Sequence, residues 1–135
     1  MYKTKTCDGW IHACAKKKTS IAKVKLCLNN EFVFVINNSV NDNRKHDPLF
    51  RFIIYNVFDL IRYNNFKILV NVKGGGITSQ AHAIRLAVVK CLLCLNDGIK
   101  PILKANNYIT TDCRIVERKK YGHRKSRKSY QFSKR

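Results

Sequence analysis

Apolar side chains recur along this chain with two periods, and the switches between them lay out its elements. From Ile21 to Leu28 the residues alternate, with Ala22, Val24, Leu26 and Leu28 on one side and Lys23, Lys25 and Cys27 on the other, which predicts a half-buried strand. Asn29-Asn30 can turn the chain because Asn tolerates positive φ. Phe32 to Ile36 supply a second, strongly apolar strand, so a hairpin of the two is expected. A polar stretch follows, closed by Asp47-Pro48, where Asp caps a helix and Pro takes its first position. Phe50, Ile53, Ile54, Val57 and Ile61 then fall at helical spacing, predicting a helix from about Pro48 to Ile61. Past Asn64-Asn65, the residues Phe66, Ile68, Val70 and Val72 alternate with Lys67, Leu69, Asn71 and Lys73, a strand that runs directly into Gly74-Gly75-Gly76. Thr78 or Ser79 is the expected cap of a long helix through about Asn96, with Ile84, Val88, Cys91, Leu92 and Leu95 as its buried stripe and Gly98 as its stop. A short helix from Lys100 to Asn106 completes the pattern, which ends beyond Tyr108-Ile109-Thr110. Residues 1 to 15 carry little periodicity, and Lys16, Lys17 and Lys18 precede the first expected element.

Charge changes this picture from a fold to an interaction. A net charge of +19 and a pI near 10.0 require a polyanionic partner, nucleic acid before an anionic membrane. No uninterrupted apolar run approaches the length of a bilayer-spanning helix, and the basic residues do not follow one amphipathic stripe, so no membrane partner is expected. The charge is concentrated from Arg118 to Arg135, where half of the residues are Lys or Arg and none is acidic. This segment has too little apolar surface to offset the entropy of ordering it, so it is expected to be disordered alone and to gain order on an anion. Tyr121, His123, Tyr130 and Phe132 are interleaved with the cations, a composition suited to RNA, where unpaired bases stack on rings while cations meet phosphates. The competing reading is a solvated basic tail that aids solubility or targeting.

Other residue patterns carry less. Strand, triple glycine and helix together suggest either an anion site, with backbone N–H groups open to a phosphate, or a tight turn needing positive φ. No Gly-Lys-Ser/Thr closes a Walker loop, and Ser79 stands where the last glycine of a dinucleotide fingerprint would fall. Cys91-Leu-Leu-Cys94 has the spacing of a zinc half-site, with Cys7 and Cys14 as conceivable partners, but it lies within a helical apolar pattern that reads as buried thiols. Without a signal-peptide h-region, the six cysteines are expected to be reduced. The eight acids are scattered singly and no nucleophile–base pairing is suggested, so neither an enzyme, a cofactor, a metal site nor a small-molecule substrate is expected. His82 and Arg85, one turn apart, face RNA or water. Two further classes fit in part: a nucleic-acid chaperone or regulator, and an enzyme using the glycine turn for a nucleotide.

Two segments carry a resemblance. Val72-Lys-Gly-Gly-Gly-Ile-Thr-Ser-Gln-Ala-His-Ala-Ile-Arg85 resembles the glycine-turn and helix signature of the universal small-subunit ribosomal protein nine family, in its bacterial and organellar form. The stretch from Asp112, through Arg114-Ile-Val-Glu-Arg-Lys-Lys-Tyr-Gly-His-Arg-Lys-Ser-Arg-Lys128, to the terminal Gln-Phe-Ser-Lys-Arg135 is similar to its tail, and Lys16 to Val24 to the start of its first strand. Ser79 and His82 depart from the family's glycines, Asn107 from a glycine and Thr111 from an arginine; Asn37 to Asp47 lacks an expected aromatic pair. The resemblance implies an α+β fold, a small sheet with helices packed on one face like the second domain of ribosomal protein five, plus an extended basic tail. It divides the chain into an extension (1–15), a globular RNA-binding domain (16–110) and the tail (111–135).

It further implies docking on ribosomal RNA in the small-subunit head beside neighbouring head proteins. Lys16, Lys17, Lys18, Lys73, Gly74, Gly75, Gly76, Gln80 and Arg85 of the body would serve that RNA. So would Arg114, Arg118, Lys119, Lys120, His123, Arg124, Lys125, Arg127, Lys128, Tyr130 and Phe132 of the tail. Lys134 and Arg135 would touch the anticodon stem-loop of P-site transfer RNA, and about eighteen extended residues reach roughly 60 Å. Lys, Asn, Ile, Tyr and Phe usage, with no convincing presequence, leads to an expected organelle ribosome, plastid ahead of mitochondrion, with bacterial cytoplasm as the alternative.

Overall fold

Ile11, Ala13 and Ala15 alternate with His12, Cys14 and Lys16, and in the computed structural model this weak pattern forms a strand, β1 (Ile11–Lys17). The structure describes residues 9–29, 31–38, 43–61 and 65–132. A two-residue turn, Lys18-Thr19 with Lys18 at φ 52°, joins β1 to β2 (Ser20–Leu28) as an antiparallel hairpin in which Lys17 faces Ser20 and Ile11 faces Leu26. Next come β3 (Val33–Ile36), a short 3-10 turn (Asn43–His46), helix α1 (Pro48–Ile61), β4 (Phe66–Lys73), the long helix α2 (Ile77–Leu95), a second 3-10 turn (Asp97–Ile99) and helix α3 (Lys100–Ala105). The fold is α+β, with one four-stranded sheet in the order β1-β2-β4-β3.

Two expectations are corrected here. Ile11 to Ala15 are not an extension outside the domain, since Ile11 and Ala15 are buried in the core. An alternation built on alanine is weak in sequence and depends on the β2 ladder for its stability. Nor do the segments 21–28 and 32–36 form a hairpin with each other. The chain does reverse between them, but β4 occupies the slot, antiparallel to β2 from Ile21↔Lys73 to Leu28↔Phe66 and parallel to β3. β4 offers β2 a partner for its whole apolar run, whereas β3 is only four residues long, so the longer ladder wins. The path β3-α1-β4 is a parallel crossover through a helix, which a local reading of turns does not reveal.

The helices follow their stripes. Asp47 accepts the Leu49 N–H at 3.0 Å and its backbone carbonyl accepts the Arg51 N–H, so Asp47 and Pro48 start α1 as their chemistry predicts. α2 starts at an N-cap Gly76 and not at Thr78 or Ser79. Its buried set is wider than one stripe, taking in Ala81, Ala83, Ala87 and Val89, because it packs on β1 and β2 as well as on α1. By length and composition α2 is long and apolar enough to cross a membrane, contrary to the sequence expectation; its burial in the core is what its apolar surface is for. Ala22, Val24, Leu26, Ile68, Val70 and Val72 of the sheet's inner face meet Ile54, Val57, Ile84, Val88 and Leu92 from the helices.

Asn37 extends β3 by side-chain mimicry. At φ 49° it leaves the strand, yet its amide accepts the Val72 N–H at 2.8 Å and donates to the Val72 carbonyl at 3.2 Å. Asn37→Ala leaves both partly buried backbone groups unpaired and is expected to destabilise the fold by about 1–3 kcal/mol, read by urea unfolding.

Candidate nucleic-acid interface

The strand alternation that buries one face of the sheet loads the other with cations. Lys16, Lys23, Lys25 and Lys73 are exposed and Lys67 half-buried on the face away from the helices, in cross-strand rows such as Lys16–Ile21–Lys73 and Cys14–Lys23–Asn71. No acidic residue lies on these strands. Lys23, Lys25 and Lys67 add to the expected site residues, and the signal for them in the sequence is their place opposite the apolar series. The expected cluster Lys16-Lys17-Lys18 is divided by the hairpin: Lys16 joins this open face, Lys18 occupies the turn, and Lys17 points to the helix side.

The glycine turn is built for close approach. Gly74 and Gly75 have φ of 74° and 68°, and a Cβ on them would lie 2.7 Å from the Thr19 carbonyl oxygen and 1.9 Å from Ser20 Oγ. Ser20 Oγ and Gln80 Nε2 both donate to the Gly74 carbonyl at 3.0 Å. The turn reading therefore accounts for Gly74, Gly75 and Gln80, and only Gly76 has open space around it. Among the described residues no His/Cys/Asp/Glu cluster has the geometry of a metal site. Cys91 is buried beneath β1, donating to the Ile11 carbonyl at 3.8 Å, and burial, with Cys94 nearby, pushes its thiol up to about 12, in keeping with a thiol packed in the core.

Where the chain leaves α3, Asn107 at φ 56° and the Tyr108 N–H bonding the Leu103 carbonyl at 3.0 Å swing it across the end of β1. There a pocket of about 480 Å³ is lined by Lys17, His82, Arg85, Leu86, Tyr108 and residues 110–112. Lys17 Nζ donates to the Asp112 carbonyl at 3.0 Å, and the Arg85 guanidinium lies over the Tyr108 ring at 4.9 Å. Arg85 Nε is buried without a hydrogen-bond partner. Burial first, then the charges of Arg85, Lys17 and Lys18, push the His82 imidazole below its ordinary value.

From Thr110 to Phe132 there is neither helix nor strand, and nearly every side chain is exposed, including Val116 at 94% and Phe132 at 91%. Arg114 grips Asp112 through Nε and a terminal nitrogen at 2.8–3.0 Å, holding that carboxyl well below the usual carboxylate range. Arg127 pairs with Glu117, the Arg124 N–H donates to the Lys128 carbonyl at 2.7 Å and Arg124 lies over the Tyr130 ring at 5.2 Å. Residues 117–130 thus fold back on themselves, which corrects the expectation of a tail extended along its whole length. The Arg127–Glu117 pair is solvent-exposed and of the kind that contributes little, so opening it costs little. Arg118, Lys119, Lys120, Lys125 and Lys128 have no acidic partner among the described residues, and His123 sits 3.4 Å from Ser129 Oγ. Lys134 and Arg135 lie outside the described residues, as do Cys7, Asn30 and Asn64.

The family model for ribosomal protein S9/S16 matches residues 15–135. The chain is 39% identical over 126 residues to a protein of Cytophaga hutchinsonii named small ribosomal subunit protein uS9, covering 93% of this chain and 98% of that one. Proteins of the same name from Amoebophilus asiaticus and Chlorobaculum parvum are each 37% identical over 125 residues, covering 93% of this chain and 98% and 97% of theirs.

Proposed function

Because the chain belongs to the small ribosomal subunit protein uS9 family, we propose that its body docks on small-subunit ribosomal RNA in the head and that its tail carries the chain's end to P-site transfer RNA. A structural part in translation, and no enzymatic role, goes with the family. The observation that carries the docking is the division of the surface: helices cover one sheet face, while the other and the tail offer lysines and arginines with hardly an acid between them. Within the tail, Tyr121 and Phe132 hold their rings in solvent, where they cost hydrophobic free energy until a base or another ring covers them, and Tyr130 is half-covered by Arg124. The body residues Lys16, Lys18 and Lys73 and the open-face Lys23 and Lys25 meet phosphate, and Arg118 to Lys128 follow an RNA groove. Lys134 and Arg135 contact the anticodon stem-loop backbone, Arg135 with the fork geometry that grips a phosphate.

Deletion of Ser133–Arg135 is expected to weaken P-site transfer RNA binding by about tenfold, in filter binding to reconstituted subunits, while subunit assembly is retained. Equal transfer RNA affinity in the truncated and full-length forms removes the end of the chain from that contact. The named relatives are bacterial, which favours a bacterial-type ribosome and the bacterial cytoplasm. The plastid or mitochondrial setting suggested by composition gains nothing from them.

A further inference from the structure

The pocket at the root of the tail has the chemistry of an anion receptor. Three nitrogen-bearing side chains from two elements converge there: Lys17 at the end of β1, and His82 and Arg85 on successive turns of α2. The acidic residue of the lining, Asp112, offsets only part of this charge, because its carboxylate is gripped by Arg114 and feels Lys17 more weakly, while Lys17 bonds its backbone carbonyl. Arg85 is the decisive group. Its guanidinium carbon lies 4.9 Å from the centroid of the Tyr108 ring, a cation–π contact that holds the group at the pocket and limits the freedom it loses when an anion arrives, while its Nε is closed off from solvent and has no hydrogen-bond partner. The volume of about 480 Å³ exceeds what an isolated anion fills and admits a phosphate with its ribose, beside Thr110 and Thr111 of the lining.

We infer that this pocket receives one phosphodiester of ribosomal RNA, held by Arg85, His82 and Lys17, and so pins the root of the tail where it leaves the body. The inference rests on the RNA-docking role above and adds a defined site to it. A phosphate there reverses the electrostatics around His82. The groups facing it are Arg85 on its own helix, Lys17 on β1, Lys18 in the hairpin turn and Asp112 in the crossing segment. An arriving dianion or monoanion offsets those cations, raising the imidazole's affinity for a proton. Proton uptake and phosphate binding are then linked, and RNA binding strengthens as pH falls from 7.5 toward 6.

The test uses the full chain, isotope-labelled, with tetrauridylate and inorganic phosphate as separate probes. Saturable shifts of the Arg85 Nε–H and His82 ring resonances are expected with tetrauridylate, together with an upward move of the His82 titration. Arg85→Lys keeps the charge but removes the fork, and is expected to weaken tetrauridylate binding about tenfold with no change in the slope of log affinity against log salt. His82→Asn, at a half-exposed position, is expected to abolish the pH dependence and reads the same pocket should Arg85→Lys lower the melting temperature. Tetrauridylate binding with unmoved Arg85 and His82 signals overturns the pocket while leaving the RNA-docking role intact. Stronger saturation by inorganic phosphate than by tetrauridylate makes it a free-anion site and also overturns the inference. Failure of the unaltered chain to bind small-subunit ribosomal RNA at all sinks the broader role instead.

Discussion

Truncation after Glu117 is expected to lower affinity for small-subunit ribosomal RNA by about 10³- to 10⁵-fold at physiological salt and to flatten its salt dependence. The removed segment holds nine Lys or Arg and no acid. Each phosphate contact contributes about 0.7 to 0.9 to the slope of log affinity against log salt, so the cations from Arg118 to Lys128, which are the ones assigned to ribosomal RNA, contribute roughly five to six. Folding should be almost untouched, since no strand or helix lies beyond Ala105 among the described residues and the tail's side chains are exposed. Unfolding by circular dichroism and binding across a salt series separate the two readouts. A slope change below about two would mean that the tail stays in solvent and the lysine face of the sheet carries the affinity.

Alanine at the glycine turn is expected to give the largest loss of stability. Gly75→Ala places a methyl 1.9 Å from Ser20 Oγ at a φ of 68°, so Ser20 must rotate away from the Gly74 carbonyl that it bonds. Backbone strain plus the lost, partly buried hydrogen bond predict about 2–4 kcal/mol. In Ser20→Ala/Gly75→Ala the offending oxygen is already gone, and the double substitution should cost at least about 1 kcal/mol less than the sum of the singles. Gly74→Ala behaves differently, since its methyl would meet the Thr19 backbone carbonyl at 2.7 Å and no side-chain replacement relieves that. Urea unfolding of the four variants distinguishes these cases; additivity in the Ser20/Gly75 pair would place the whole cost in φ.

Much of the local architecture was legible in the residues. Asp47-Pro48 with the Phe50-Ile53-Ile54-Val57 stripe located α1, because a cap and a helical period are short-range properties. β4 was equally plain, as strict alternation needs no knowledge of its partners. β1 was missed because Ala13 and Ala15 bury little by themselves. The apparent hairpin of 21–28 with 32–36 failed because turn chemistry reports a reversal and is silent on which strand enters the gap. At the interface, the tail's charge was obvious, yet the fold-back through Arg127 and Glu117 depends on residues ten apart meeting across a turn. His82 and Arg85 are readable in the sequence as neighbours on a helix, but their meeting with Lys17 and Tyr108 depends on where β1 and the exit from α3 lie in the fold.

The sequence by itself determined the helices, the alternating strands and the concentration of positive charge, because period, caps and composition are properties of neighbouring residues. Only the tertiary structure decided the strand order, the division of Lys16 from Lys17 onto opposite sides of the sheet and the pocket with its unpartnered Arg85 Nε. These depend on which distant segments win the competition for the same sheet edge and the same buried volume, a comparison that no local pattern contains.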